Sequence, residues 1–399
     1  MLSRQGHGLA TGARIVFGVV ALALVASLFV PVAAQAKSKK SINVKVMTRN
    51  LFLGADLSPA INANGIGEFL EANGGILREV DLTDFPRRSR LLADEIKTKK
   101  PDLVGLQEVA LWRSAPPCVT PALSGEPSAT EVEYDFLKLL KDKLKDYKVA
   151  VVQKEFDFEA PADKNETPDD TTATGDCNPF NVIADAEVNG RLTMRDVILV
   201  RKDSKVKVKN PTGGNFDNLL VVRVANAVDV PVTRGWTAVD AVAKKGRGKN
   251  KVKKKFRFIN THFEAFDDET EIPSIRSLQA QEIAGIALDP AYGGERPVIL
   301  LGDFNSDVRT KVQPGDAQAY QALLDAGFTE RSTHDPLSCC VSDLFTSPPS
   351  EFDHQVDHVM TDASKKKIKL LNSSVVGRKQ VDGIYPSDHA GVFSKLRLK

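Results

Sequence analysis

The apolar run Val298-Ile299-Leu300-Leu301 has the length of one buried strand, and it stops abruptly at Gly302-Asp303-Phe304-Asn305-Ser306-Asp307. Gly, Asp and Asn all favour turns, so a turn accounts for this stretch taken by itself. The same arrangement recurs, however. Apolar strands run into Asn50, into Gln107-Glu108, into Asn260-Thr261-His262 and into Ser387-Asp388-His389, and Asp357-His358 flanks another short apolar strand. Each has an ordinary explanation alone: Asn50 caps a turn, Glu108 is a solvated strand end, His262 is a hydrogen-bonded core histidine, and Asp388 is a helix cap or half of a surface pair. Together they call for a fold that gathers strand ends as distant in sequence as residues 50 and 389. Functional groups are commonly set on loops held by such a scaffold.

The elements between these points can be read from periodicity. Ile42, Val44 and Val46 alternate with polar neighbours, the pattern of a strand with one buried face. Residues 56–86, rich in Gly, Asn and Pro, read as irregular. Leu91, Leu92 and Ile96 share a helical face that Pro101 ends, and Leu103, Val104 and Leu106 form a buried strand delivering Gln107-Glu108. Residues 113–130 read as a loop, 131–147 as a helix, 148–156 as a strand, and 157–180 as an acidic surface insertion. Strands are predicted at 193–202, 233–244 and 256–264, and helices at 274–288 and 316–326. Lys244–Arg257 holds nine basic residues between two strands and reads as a hairpin tip. Trp236 and Phe256 read as core. His334 and His354 fall in polar loops and read as solvated, and His358, one residue after Asp357, points to the opposite face of its strand. No fixed-period repeat and no linker divides the chain, so one mixed α/β domain over residues 41–399 fits.

The first 36 residues stand apart. Arg4 and Arg14 precede the apolar stretch Ile15–Val30, which leads to Pro31-Val32-Ala33-Ala34-Gln35-Ala36 with an A-x-A pattern. That is the form of a cleavable secretory signal over residues 1–36, and the stretch is short for a membrane span of about 20 residues. The expected mature protein starts near Lys37, is secreted or extracytoplasmic, keeps no stable membrane span and is a monomer. Residues 1–36 hold no acid, so without them the formal charge of +2 disappears. A neutral body lacks the field that gathers polyanions. The basic hairpin 244–257 is then the place where a nucleic acid would make contact. Cys118, Cys177, Cys339 and Cys340 are an even number in an exported chain, which points to disulfides. Cys118 with Cys177 is the preferred pair because both stand in loop-like segments; adjacent Cys339 and Cys340 either bridge each other or reach elsewhere. The absence of C-x-x-C spacing argues against structural zinc.

In the order N-L at 50–51, P-D-L-V-G-L-Q-E-V at 101–109, N-T-H-F at 260–263, G-D-F-N at 302–305, V-D-H-V at 356–359 and S-D-H at 387–389, the sequence resembles the endonuclease/exonuclease/phosphatase superfamily, the DNase I-like fold. The resemblance implies an α/β (α+β) four-layered sandwich, two mainly antiparallel sheets face to face with helices outside, and active-site loops at one edge. It also implies roles that the chemistry of phosphodiester cleavage requires: charge neutralised on the phosphoryl oxygens, and a water aimed in line. Glu108 is the candidate ligand for a hard divalent cation, Mg²⁺ with Mn²⁺ or Ca²⁺ as alternatives, with Asn50 beside it and Asp388 completing the acidic side. Asp303 is the candidate base or water-positioning carboxylate, and Asn305 shares its side of an extended segment. His389 with Asp357 makes a carboxylate–imidazole pair whose protonated ring binds phosphate. His262 resembles a second phosphate-contacting histidine found in DNase and sphingomyelinase branches.

Two positions depart from the pattern. Phe52 stands where some DNA-repair members carry an extra metal-binding Asp, and Arg195-Asp196 stands where the family has a small residue. Asp196 reads as structural, paired with Arg195 or Arg191. The resulting expectation is an exported metal-dependent phosphoesterase acting on phosphodiesters, with nucleic acid ranked slightly ahead. A sphingomyelinase-like or inositol-phosphate phosphoesterase is the alternative. A catalytically inactive binding module on the same scaffold has no need of Glu108, Asp303, Asn305, Asp388 and His389 together. The cysteine reading is checked by mass spectrometry of a non-reduced digest, which should return a peptide linking Cys118 to Cys177; recovery of both as free thiols contradicts it.

Overall fold

The computed structural model describes residues 40–117, 126–165, 186–266, 272–290, 295–308, 317–362 and 367–399. In chain order, β1 (Ile42–Asn50) leads to helices α1 (Ser58–Ile61), α2 (Ile66–Leu82) and α3 (Phe85–Lys99). Strands β2 (Leu103–Gln107), β3 (Leu111–Ala115) and β4 (Glu131–Asp135) precede α4 (Phe136–Lys143), β5 (Tyr147–Ala162) and β6 (Val188–Arg201). Then come β7 (Val206–Asn215), β8 (Leu220–Val224), β9 (Val228–Val232), β10 (Gly235–Lys245), β11 (Val252–His262), α5 (Ile275–Leu288) and β12 (Val298–Asp303). The remaining elements are α6 (Gln318–Asp325), β13 (Phe328–Glu330), β14 (Asp357–Asp362), β15 (Ile368–Val376) and β16 (Gly391–Leu398).

One sheet runs β15-β16-β1-β2-β6-β3-β4 with β5 also on β6; the other runs β13-β14-β12-β11-β10-β7; β8 and β9 form a separate hairpin. Among the described residues only β1–β2 and β11–β12 pair in parallel. Three cores show the layers. Val44 and Val46 of β1 meet Phe256 and Phe258 of β11 and Ile299 and Leu301 of β12 between the sheets. Alternate residues face outward: Met47 and Val104 pack with Val80 of α2 and Ile96 of α3, while Val298 and Leu300 pack with Ile283 of α5 and Leu323 of α6. The expected four-layered sandwich, two mainly antiparallel sheets between helices, is the architecture observed.

Several local expectations change. Residues 56–86 are mostly helical, and α2 carries a buried stripe of Phe69, Leu70, Ile76 and Val80. The glycine that disguised it has a packing reason: a Cβ at Gly74 would lie 1.4 Å from the Asp163 carbonyl oxygen at the end of β5. Residues 131–147 split into the edge strand β4 and the short helix α4, with Asp135 accepting from the Lys138 amide at 3.2 Å to start the helix. Strand β3 takes residues 111–115, and β5 runs to Ala162, beyond the predicted end at 156. Most of the basic run lies within β10 and β11, which leaves residues 246–251 as the turn. Cys118 and Cys177 lie outside the described residues; Cys339 and Cys340 are bridged to each other.

His358 faces away from Asp357, as alternation requires. Its Nδ1 lies 2.8 Å from Glu330 Oε2 and its Nε2 3.0 Å from the Ser306 carbonyl, against Phe304 and Tyr320. Burial opposes both charges, yet each partner favours the other's ion, so Glu330 is held well below its usual range and His358 above. The histidine's contribution is complete below 6.5 and lost as pH rises through its raised folded value; the glutamate's is complete above 4.5 and lost as pH falls through its depressed one. Glu330→Gln should therefore cost about 3 kcal/mol between those two values, with the deficit shrinking toward alkaline pH. Urea unfolding across pH reads this, and a deficit independent of pH would contradict it.

Candidate active site

Strand register brings the polar strand ends together. Asn50 sits opposite Gln107 where the parallel pair β1–β2 ends, and His262 sits opposite Asp303 where β11–β12 ends. Antiparallel β14 sets Asp357 opposite Asp303. Both parallel pairs thus end at one edge of the sandwich, one pair in each sheet. Gly302 is needed for this: its φ is +156°, and a Cβ there would lie 1.9 Å from the Thr261 carbonyl oxygen. Phe52, Glu108 and Asn305 all hold positive φ, 58°, 53° and 46°. Non-glycine residues are uncommon in that region, and such positions cluster at functional sites.

Glu108, His262, Asp303, Asn305, Asp388 and His389 line one cavity of about 350 Å³, with Asn50 and Asp357 directly behind them. Asn50 Nδ2 donates to Glu108 Oε1 at 3.0 Å and to Asp303 Oδ2 at 2.9 Å. Its Oδ1 accepts from the Phe52 amide at 2.8 Å, and the Leu53 amide donates to Glu108 Oε2 at 2.7 Å. Asn305 donates its backbone N–H to Asp303 Oδ1 at 3.0 Å and its side-chain amide to the Phe263 carbonyl at 2.9 Å. His389 Nδ1 lies 3.0 Å from Asp357 Oδ2, and its Nε2 lies 3.5 Å from Asp303 Oδ2. Asp307, crowded into the same motif, turns aside and accepts from the Gln355 amide at 3.0 Å.

The surroundings push the two histidines in opposite directions. Burial disfavours a charge on His389, but Asp357, Asp303 and Asp388 surround it and raise its pKa well above the usual value. His262 is lowered by burial, by Arg234, whose Nη1 lies 3.4 Å from Nδ1, and by His389; its Nε2 is 3.7 Å from Asp303 Oδ2. Behind it, Asp196 pairs with neither Arg195 nor Arg191. Arg195 binds Asp135 and Arg191 binds Asp157. Asp196 instead accepts from Asn260 at 3.2 Å and faces Glu155, whose carboxyl is pushed up to about 8, first by burial. Arg234 is the cation that acts on both, pulling each carboxyl back down against burial.

Sequence reasoning missed the residues that brace this edge. Buried Arg88 donates to the carbonyls of Leu51 at 2.7 Å, Phe52 at 3.2 Å and Pro386 at 3.2 Å. Buried Arg49 binds Glu95 at 3.0 Å and the His389 carbonyl. Gln107 reaches from one sheet to Asn260 in the other. Cys340 and Cys339 place their sulfurs 3.5 and 3.7 Å from His389 Nε2. The basic turn 246–251 is not brought to the site. Gly235 pairs with His262 and Lys245 with Val252, so the turn lies about ten residues, roughly 33 Å, away along β11.

The donors suit a hard cation. The cavity lining includes Asp56, Glu79, Glu108, Asp303 and Asp388 and, among the described residues, no Lys or Arg. Glu108 is raised by burial and then by Asp388, a carboxylate repulsion that a bound divalent cation would relieve. Carboxylates gathered for a cation, next to an aspartate and a charged imidazole, make up the equipment of a metal-dependent phosphoester hydrolase. The chain belongs to the Endonuclease/Exonuclease/phosphatase family, whose model matches residues 61–389, and it is a metal-dependent hydrolase of that kind. Asn50 lies outside the matched span although it bonds to two residues within it.

The fold is similar to an endonuclease/exonuclease/phosphatase family protein of Bacteroides thetaiotaomicron, at 15% identity over 90% of this chain and 99% of that one, TM-score 0.51. A counterpart from Bacteroides vulgatus is 16% identical over 90% and 100% of the two chains, TM-score 0.50. A mannosyl-6-phosphatase of Bacteroides thetaiotaomicron is 17% identical over 88% and 99%, TM-score 0.49. No curated protein sequence matches the chain.

The geometry separates two kinds of defect. Glu108→Gln keeps the hydrogen-bonding shape but removes charge from a hard-cation ligand, so raising Mg²⁺ should restore part of the lost rate. His389→Ala removes a positioned donor, a loss of about 10²–10³ that metal should not restore. Asp357→Asn should slow the wild type but add little in the His389→Ala background, because the two act as a unit. Rates in Mg²⁺ for the singles and the 357/389 double decide this; rescue of His389→Ala by metal, or independent 357 and 389 effects, would overturn it.

Proposed function

We propose that this protein is an exported Mg²⁺-dependent phosphodiesterase acting on compact phosphodiesters. The observation that carries the reading is the Asn50 amide bridging Glu108 and Asp303, with the Asp357–His389 pair alongside. Glu108, Asn50 and Asp388 would hold the cation, which would supply Lewis-acid polarisation of the phosphoryl oxygens. Asp303 orients the attacking water and takes its proton. Asn305 fixes the Asp303 carboxylate through its backbone N–H and helps orient that water. His389, charged by Asp357, donates to a phosphoryl oxygen, and neutral His262 contacts the same group. Water adds to phosphorus as one ester P–O bond breaks, leaving a phosphomonoester and an alcohol.

The electrostatics favour a compact ester over a polynucleotide. A bound strand needs Lys or Arg along its path; among the described residues the lining has none, and the basic run sits at the far end of β10 and β11. A panel of bis-p-nitrophenyl phosphate, sphingomyelin, plasmid DNA and RNA tests this. The small diester should turn over in Mg²⁺, stop with EDTA, and outpace both nucleic acids; no hydrolysis with Mg²⁺, Mn²⁺ or Ca²⁺ would sink the proposal. Residues 1–36 support export, and N-terminal sequencing of secreted protein should begin near Lys37.

A further inference from the structure

A second cavity, about 150 Å³, opens beside the first, and the two share Leu53, Leu57, Glu108, Ala265 and Phe266 in their walls. It lies between α2, β5 and β6, under the β8–β9 hairpin, which turns Val222, Val224, Val230 and Val232 inward. Arg223 and Asp229 pair on the hairpin at 2.8 Å, and Asn226 at its turn donates to the Asn64 carbonyl at 2.9 Å. The lining is apolar except for Asn73, Glu108 and Arg234. Asn73 is spent on the Pro161 carbonyl at 3.1 Å. The two charged members belong to the hydrolytic edge: Glu108 lines both cavities, and Arg234 touches His262. An apolar space therefore adjoins the edge to which the phosphate is assigned, with Glu108 in the wall of both.

Packed cores hold few voids larger than a water molecule, and the cost of a void grows with its volume. An engineered apolar cavity of about this size stays dry and binds benzene. We propose that this cavity receives an apolar ester group of the substrate, so that the protein prefers phosphodiesters in which one alcohol carries an alkyl chain, filling the space with about six carbons. The inference rests on reading the neighbouring edge as the phosphoester site. It adds a specificity determinant in α2, β5 and the β8–β9 hairpin, away from the hydrolytic residues.

Methyl alkyl phosphates from methyl to decyl, followed by phosphorus NMR, test it. kcat/KM should rise about fourfold per methylene and level off near hexyl. Val222→Phe, on a half-buried hairpin strand, should flatten the series and keep dimethyl phosphate turnover. A flat series in the unaltered protein overturns the inference and leaves the phosphodiesterase reading standing. If no ester is hydrolysed, that reading fails, and the cavity is decided by binding. Trp112 lines it and donates to the Leu53 carbonyl at 2.8 Å. Its emission should shift with hexylphosphonate far below the concentration needed of methylphosphonate, and equal responses overturn the inference. Turnover of phosphatidylcholine vesicles beside the hexyl ester identifies the chain's source as a membrane lipid; turnover of the hexyl ester alone identifies a soluble ester.

Discussion

One amide holds the two sheets in register at their working edge. Asn50 ends a strand of the first sheet and spends both side-chain hydrogens on carboxylates, Glu108 from its own sheet and Asp303 from the other. A hydrogen bond to a charged group contributes about 1.5–3 kcal/mol, and losing it here strands two buried acids. The amide fixes the spacing on which every other contact depends: Asp303 is placed for His389 and His262, and Glu108 for Asp388. Gln107 and Asn260 repeat the crossing one layer deeper. The positive φ angles at Phe52, Glu108 and Asn305 are backbone strain that these contacts compensate.

Much of this was legible because it follows from period and position. Strands with a two-residue alternation announced their buried faces, and the polar groups just past their ends announced an edge. What escaped was set by contacts between distant residues. Glycine in 56–86 argued for a loop, while in the fold Gly74 is what lets α2 lie on β5. Arg49 and Arg88 look like surface cations in sequence, yet each is buried because backbone carbonyls of converging loops need donors. Asp196 was assigned the nearest cation, but strand alternation sends Arg195 to the opposite face, toward Asp135, and leaves Asp196 facing Glu155. The basic run, read as a hairpin tip, mostly extends the two strands themselves, and the distance of its turn from the site follows from their length.

The two cavities divide their labour by polarity, and one short loop serves both. Leu53 offers its N–H to Glu108, which lines both cavities, and its carbonyl to Trp112 of the apolar one, so an acid and an indole are tied to one residue. The acidic side is suited to an ion and to one phosphate; the apolar side is suited to whatever the phosphate is esterified with. Among the described residues no Lys or Arg lines the first cavity, and its basic side chains are His262 and His389.

The same wiring has a bearing on biosynthesis. Strand β1 lies between β2 and β16, Ser387 Oγ donates to the Asn50 carbonyl at 2.9 Å, and Arg88 joins Leu51 to Pro386. Residues 42–52 therefore wait for residues 386–398 before their outer sheet edge is filled. Such non-local pairing folds slowly and leaves unpaired edges exposed meanwhile. A chain that has not reached residue 389 cannot assemble the edge that joins Asn50, Asp303, Asp357 and His389. Until then the first sheet lacks the strand that pairs with the outer side of β1.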